Sequence, residues 1–310
     1  MDRHNVGLSL MVGNDDFRNK FLSSFIGNVP KAIISTIKNR KFVSPKPDIS
    51  KSALAALNCL DALAHWLRIE SIEFAFPYPY GNVAQLNEQV GQKVSEMMDG
   101  RKTTVHLPMA PLHTVEGVLE VTAGLEYGLA HGATQFVVHP GEVHKGRFGQ
   151  KITTTALDFA KAKESGLAAL ERMLDTYKHH KIIVGIENLA GPVPYGKHPN
   201  EFDYLFGKRG NMTVGWCVDT GHLYNALAHN HSNGDLINLI KSYYKNDQIV
   251  EMHLVDTAVS NGPDKHCVLG QGNVPLDDML KSICGFTGPI IAEVNPKDFQ
   301  ASWNWVRADR

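Results

Sequence analysis

Acidic and imidazole side chains recur at the ends of apolar, β-branched runs in this sequence. In the clearest case, residues 214–218 end in Asp219, and Thr-Gly and then His222 follow. The residues that end such runs are His106, His139, Glu187, Asp219, His253 and Glu293. Carboxylates and imidazoles together suit zinc, manganese or iron. If the fold gathers these residues, the chemistry they predict is that of a divalent metal site.

Each residue alone has an ordinary structural explanation. A histidine near a loop is commonly a hydrogen-bonded surface group, and an aspartate or glutamate there often caps the next helix. Six such groups at equivalent places in consecutive units favour a shared role instead. Packed together without a cation, three carboxylates and three imidazoles would repel one another or stay unpaired, at a cost of several kcal/mol per buried charge.

The elements that must position these groups alternate between strand and helix. Strands are predicted at 5–11, 71–76, 103–106, 134–139, 181–187, 214–219, 249–254 and 289–293. Helices are predicted at 87–98, 115–131, 153–180, 200–206, 222–246 with a break near 230–234, and 276–283. Apolar residues at helical spacing predict an additional helical segment over 14–70. We therefore predict one domain over 1–310, a single (β/α)8 TIM barrel with a helical insertion at 14–70.

An open doubly wound sheet shares this alternation and is the rival architecture. No Gly-rich phosphate-binding motif follows the first strand, which disfavours it. The net charge of -1 offers no general attraction for polyanions, although a local basic cleft or bound cations could still attract nucleic acid. The four cysteines lack paired CxxC spacing, and no apolar run has membrane-spanning length. We expect a cytoplasmic monomer.

Ring closure would bring the strand-end groups together, because every strand of such a barrel points its C-terminal end at one mouth. Two further sequence features add possible metal ligands near the same mouth of the barrel. His222 lies three residues after Asp219, and Asp264-Lys265-His266 is followed by the glycine-containing segment 270–272. An Asp-x-His pair can place two ligands on one ion.

These motifs together resemble the endonuclease IV family of apurinic/apyrimidinic endonucleases, within the xylose-isomerase-like TIM barrel superfamily. The matching motifs are V-V-H-P-G, G-I-E-N-L-A-G, C-V-D-T-G-H, D-K-H-C-V-L-G-Q-G-N and I-A-E-V-N. The resemblance covers about residues 103–295. It implies hydrolysis of the DNA backbone on the 5′ side of abasic sites, in base excision repair.

The resemblance also implies three zinc ions (Zn²⁺), with manganese or iron as alternatives. The implied ligands are His106, His139 and Glu187 for one ion, Glu187, Asp219, His253 and Glu293 for the second, and His222, Asp264 and His266 for the third. Glu187 would bridge two ions, and Glu187 and Glu293 are the expected catalytic residues.

The same superfamily contains sugar-phosphate isomerases and epimerases, which provide an alternative. In that interpretation one divalent metal polarises a hydroxy-carbonyl group, and Glu187 and Glu293 move a proton between adjacent carbons. His106 and His139 would contact hydroxyls of a small sugar phosphate. Met109 and Ala110 stand where the endonucleases carry bulky wedge residues that enter DNA. A non-catalytic scaffold is a third possibility, although it has no need of nine ligand-type residues.

Overall fold

The structure is a computed structural model. It describes residues 6–11, 71–75, 88–141, 156–191, 195–260, 262, 265–295 and 298–308, with single positions between 54 and 69. Most of the predicted helical insertion at 14–70 therefore lies outside the described residues. The assignment of 1–310 to one domain stays a prediction.

Within the described residues nine strands and seven α-helices have defined bounds, and positions 54, 57, 58, 61 and 64 are also helical. The strands are β1 (Val6–Met11), β2 (Ser71–Ala75), β3 (Lys102–His106), β4 (Gln135–Val138), β5 (Ile183–Glu187), β6 (Gly207–Arg209), β7 (Met212–Asp219), β8 (Ile249–Leu254) and β9 (Ile290–Ala292). The helices are α1 (Glu88–Met98), α2 (Val115–Ala130), α3 (Ala156–Tyr177), α4 (Thr220–Leu227), α5 (Asn233–Lys245), α6 (Leu276–Ser282) and α7 (Phe299–Arg307).

Eight of these strands form a ring of parallel pairs. The pairing runs from β1 through β2, β3, β4 and β5 to β7, β8 and β9, and β9 returns to β1. The register aligns the C-terminal ends of neighbouring strands, since Ala75 pairs with His106 and Asp219 pairs with His253. The predicted single (β/α)8 barrel is confirmed.

The ring separates an apolar outer layer from a polar interior. Successive strand residues point to opposite faces. Phe136, Trp216 and Met252 are fully buried in the hydrophobic core. The interior instead holds buried polar groups, and Thr104 and Gln135 both donate to the carboxylate of Glu251. This interior differs from the branched apolar filling that is usual in such barrels.

Most predicted elements agree with the structure to within one to three residues. The predicted strand at 249–254 matches β8, and the predicted break in the helix at 222–246 is confirmed as the gap between α4 and α5. The prediction missed β6, which pairs antiparallel with β7, and α7. The predicted helix at 200–206 is instead two 3-10 turns, Pro199–Glu201 and Asp203–Leu205.

The helices of the described residues surround a barrel and do not have the character of membrane spans. None of them combines the length and the apolar composition that crossing a bilayer requires.

Candidate metal centre

The centre is built around the carboxylate of Glu187, the buried last residue of β5. Its Oε2 atom lies 2.9 Å from Nε2 of His106, 3.3 Å from Nε2 of His139 and 3.5 Å from Nδ1 of His253. Its Oε1 atom lies 3.1 Å from Nδ1 of His222. One carboxylate therefore contacts four imidazoles, three from strand ends or the residue after a strand and one, that of His222, from the first turn of α4.

Asp219 ends β7 and is the N-cap of α4. Its Oδ1 atom accepts a hydrogen bond from the backbone N–H of His222 at 2.6 Å. This local bond explains why a carboxylate precedes Thr-Gly-His, because an N-cap acceptor satisfies a free N–H of the first helical turn. Asn188, the residue after β5, fixes the same residue, since its side-chain oxygen accepts from the N–H of Asp219 and its side-chain N–H donates to the C=O of Asp219, both at 3.0 Å. Asp219 is thereby held facing the centre.

His253, the fifth residue of β8, lies between two pairs of carboxylates. Its Nδ1 atom is 3.5 Å from Oε2 of Glu187 and 3.5 Å from Oε1 of Glu293. Its Nε2 atom is 3.0 Å from Oε2 of Glu73 and 3.7 Å from Oε1 of Glu251. All but Glu293 are fully buried, and Glu293 follows β9.

The structure brings seven of the nine sequence-predicted ligands together. These seven are His106, His139, Glu187, Asp219, His222, His253 and Glu293. The ring of His266 lies 6.1 Å from the ring of His222, and His266 belongs to none of the potential metal-binding groups found among the described residues. Asp264 lies outside the described residues.

Sequence reasoning missed three members of these groups: Glu73, Glu251 and Cys217. Glu73 is a lone acid inside the apolar run of β2, and Glu251 lies two residues before His253 on β8. Because strand residues two apart share a face, the alternation did contain a signal that Glu251 points inward with His253. Cys217 is buried and lies two residues before Asp219.

Burial and charge shift the pKa values of the central groups in opposite directions. Burial favours a protonated Glu187, but the imidazoles of His139, His253 and His106 outweigh it and hold the pKa of Glu187 well below its usual range. Burial and the neighbouring carboxylates raise the pKa of Glu293 to about 7, against the opposing effect of His253. Without a cation, protons are therefore shared among the carboxylates and imidazoles at neutral pH.

The donor chemistry of the centre fits a divalent cation. The Nδ1 atom of His106 lies 2.9 Å from the carbonyl of Leu107, which can only accept, so Nδ1 carries a proton. Nε2, which lies 2.9 Å from Glu187, is therefore the atom that would lose its proton and offer a lone pair to an ion. The buried Oδ2 atom of Asp219 accepts no hydrogen bond from the described residues. A buried carboxylate oxygen beside imidazole lone pairs is the arrangement that a zinc-like ion satisfies.

Comparisons with known proteins agree on the fold. The family model described as "Xylose isomerase-like TIM barrel" matches residues 64–308. No curated protein sequence matches the chain. Among solved structures, endonuclease IV from Thermus thermophilus is similar with a TM-score of 0.55 and 17% identity, over 81% of this chain and 94% of that chain.

Two further solved structures have other descriptions. The 3-keto-D-glucoside 4-epimerase from E. coli has a TM-score of 0.56 and 13% identity, over 98% of both chains. The IOLI protein "with a binding zinc atom" has a TM-score of 0.58 and 15% identity, over 79% of this chain and 90% of that chain. Identities this low support the shared barrel, and they leave hydrolase and isomerase chemistry equally open.

Proposed function

Because this chain belongs to the xylose isomerase-like TIM barrel family, we propose that it is a metal-dependent phosphodiesterase that cuts DNA at abasic sites. The observation that carries the proposal is the position of Glu187 between two groups of donors. His106 and His139 approach its Oε2 atom at 2.9 and 3.3 Å, and His253, which is grouped with Asp219 and Glu293, approaches the same carboxylate at 3.5 Å. A single-ion isomerase has no need of both groups, whereas a cluster of ions that shares one carboxylate does.

The proposed ligand sets follow this division. His106, His139 and Glu187 would hold one ion, Glu187, Asp219, His253 and Glu293 a second, and His222, Asp264 and His266 a third. When bound, such ions stabilise the negative charge that develops on phosphodiester oxygens during hydrolysis.

The residues of the chain orient these donors. Nδ1 of His222 lies 3.0 Å from the carbonyl of Asn188, which can only accept, so Nδ1 carries the proton. The lone pair of His222 is then on Nε2, and its ring neighbours that of His266. Since the Nδ1 atom that faces Glu187 is protonated, His222 would bind an ion other than the two that Glu187 would hold.

A sugar-phosphate isomerase or epimerase with a single divalent ion is the second candidate. The observation that favours it is the pKa of Glu293, which burial and nearby carboxylates raise to about 7. A carboxyl group with this pKa exchanges its proton readily at neutral pH, as proton transfer between adjacent carbons requires. Met109 and Ala110 also favour this candidate, because they stand where the endonucleases carry bulky residues that enter DNA.

The deciding experiment measures nicking of a DNA duplex that carries one abasic analogue. Protein loaded with zinc is expected to cut on the 5′ side of the analogue, chelation to abolish the cut, and Glu187→Gln to remove it while the circular dichroism spectrum stays unchanged. Glu126→Gln, which alters an exposed hydrogen bond with Tyr177, is the control and should cut normally. Absence of cutting by fully loaded protein, with hydrogen exchange into a sugar phosphate, would establish the second candidate.

A further inference from the structure

We propose that Asn225 is a positioning residue that ties two loops of the barrel mouth to α4 and so holds His266 beside His222. The inference rests on the proposed function in one respect, since the third ion is the one that His222 and His266 would share. The tie between the loops is a property of the chain without any ion.

Asn225 is a fully buried amide on α4, one helical turn after His222. Residues three apart in a helix lie on the same side. The Oδ1 atom of Asn225 accepts a hydrogen bond from the N–H of Gly191 at 3.0 Å, and its Nδ2 atom donates to the carbonyl of Val259 at 3.2 Å. Gly191 follows β5 and Val259 follows β8, the two strands on either side of β7. One side chain therefore connects both neighbouring loops to the helix between them.

The first turn of α4 already holds the beginning of each loop. The hydroxyl of Thr220 accepts from the N–H of Val255 at 2.9 Å, and Nδ1 of His222 lies 3.0 Å from the carbonyl of Asn188. Asn225 contacts each loop three or four residues further along the chain. Separation of either loop from α4 would leave a buried amide group without its partner, which is costly.

The loop after β8 is the one that carries His266. It closes where the N–H of Cys267 donates to the carbonyl of Asp256 at 2.9 Å. Val259 lies on its outgoing side and His266 on its returning side. Asn225 therefore holds the outgoing side, while the bond between Asp256 and Cys267 holds the base.

This arrangement matters for a ligand pair drawn from two elements. The ring of His266 lies 6.1 Å from the ring of His222. An ion between them requires that the loop keep this spacing, whereas the donors around Glu187 come from strand ends. Loss of Asn225 should therefore weaken the ion held by His222 and His266 and leave the other ions in place. A buried amide that served packing alone would instead lower the stability of the whole barrel.

The first test is hydrogen exchange of the complete metal-free protein, followed by mass spectrometry. Asn225→Ala should speed exchange in the peptides that contain Gly191 or Val259 and leave the rest of the barrel unchanged. Ser302→Ala is the matched control, since it removes a buried acceptor for the N–H of Leu269 at 3.1 Å and should leave the Gly191 peptide unchanged. Unchanged exchange in both peptides, or an increase spread over the whole barrel, would overturn the inference. If the alanine variant does not fold, Asn225→Ser gives the same measurement, because its short side chain cannot bond both loops.

The second test is a titration with Co²⁺, followed by visible absorption. The wild-type protein should bind three ions, and Asn225→Ala should weaken one of them by about 10–100-fold while Ser302→Ala binds as the wild type does. The variant that combines Asn225→Ala with His266→Ala should bind Co²⁺ as His266→Ala alone does, because Asn225 acts through His266. Losses that add would contradict this route.

The two tests separate the inference from the proposed function. Fewer than three Co²⁺ ions on the wild-type protein would reject the third ion and with it the proposed function. The exchange measurement would still decide whether Asn225 ties the loops to α4.

Discussion

Asp256 provides the sharpest test of how the rim of the barrel is built. This buried residue follows β8 and accepts three backbone hydrogen bonds from the loop that leads to α6. The N–H groups of Gly270 and Gly272 donate to Oδ2 at 2.8 and 2.9 Å, and that of Val274 donates to Oδ1 at 3.2 Å. The same loop carries His266, so its anchor also governs a predicted metal ligand.

The expected loss of stability follows from these bonds. Asp256→Ala leaves three donors without their acceptor, at about 1–3 kcal/mol each. Because neighbouring bonds are not additive, we expect the free energy of unfolding to fall by about 3–6 kcal/mol. Asp256→Asn keeps one oxygen for the two glycine N–H groups and turns an amide N–H toward Val274. Its expected loss is about 1–3 kcal/mol, from one mismatched donor.

The assay is urea unfolding of metal-free protein, followed by circular dichroism. Asp278→Asn is the control, because Asp278 forms an exposed ion pair with Lys281 and its replacement should change stability by less than about 0.5 kcal/mol. The reasoning is refuted if Asp256→Ala costs less than about 1 kcal/mol, or if the alanine and asparagine variants are equally stable.

Three further outcomes are expected. The raised pKa of Glu293 keeps its carboxyl group protonated up to about pH 7, so zinc binding at or below that pH should release protons. The number of protons released should fall as the pH rises. Calorimetry in buffers of different ionisation enthalpy measures this number, and a result of no release would contradict the prediction. Thr114→Ala removes the acceptor for the N–H of Gly117 at 3.0 Å and should lower the free energy of unfolding by about 1 kcal/mol, so an unchanged urea midpoint would contradict the cap. Asn188→Ala should cost about 2–3 kcal/mol and weaken zinc binding by releasing Asp219, and unaltered zinc affinity would argue against that role.

The architecture was predictable because the barrel signal is local and repeated. Most of the barrel strands have an apolar run with a polar residue at or just after its end, and β8 at Ile249–Leu254 matches the predicted range. Strand β6 has no such run, since Gly207–Arg209 is three residues long and mostly exposed. It forms through its antiparallel pairing with β7, which no short-range pattern encodes.

Only the residues of the candidate centre that lie at the C-terminal ends of the strands were predictable. Residues at strand ends share a height in the barrel, so the sequence placed His106, Asp219 and Glu293 near one mouth. Glu73 and Glu251 lie within their strands, and their meeting at His253 depends on the pairing of strands that are far apart in the sequence. Sequence alternation predicts the face on which a residue lies, but it does not predict the residue opposite.

The glycine of the D-T-G-H motif is required by a contact that only the structure reveals. Gly221 in the D-T-G-H motif lies against Val255 in the loop after β8, and a Cβ atom on it would stand 2.4 Å from Cγ1 of Val255. A larger residue at position 221 therefore requires Val255 to move. The two positions are 34 residues apart in sequence, so neither one alone reveals the constraint.

The first strand has a consequence for how this protein is expressed. β1 (Val6–Met11) pairs with β2 on one side and β9 on the other, although the family match begins only at residue 64. A fragment cut at that boundary would leave two open parallel edges with unpaired backbone groups, which invite association between chains. Insolubility of such a fragment would reflect the missing strand β1 and would carry no information about the chemistry of the protein.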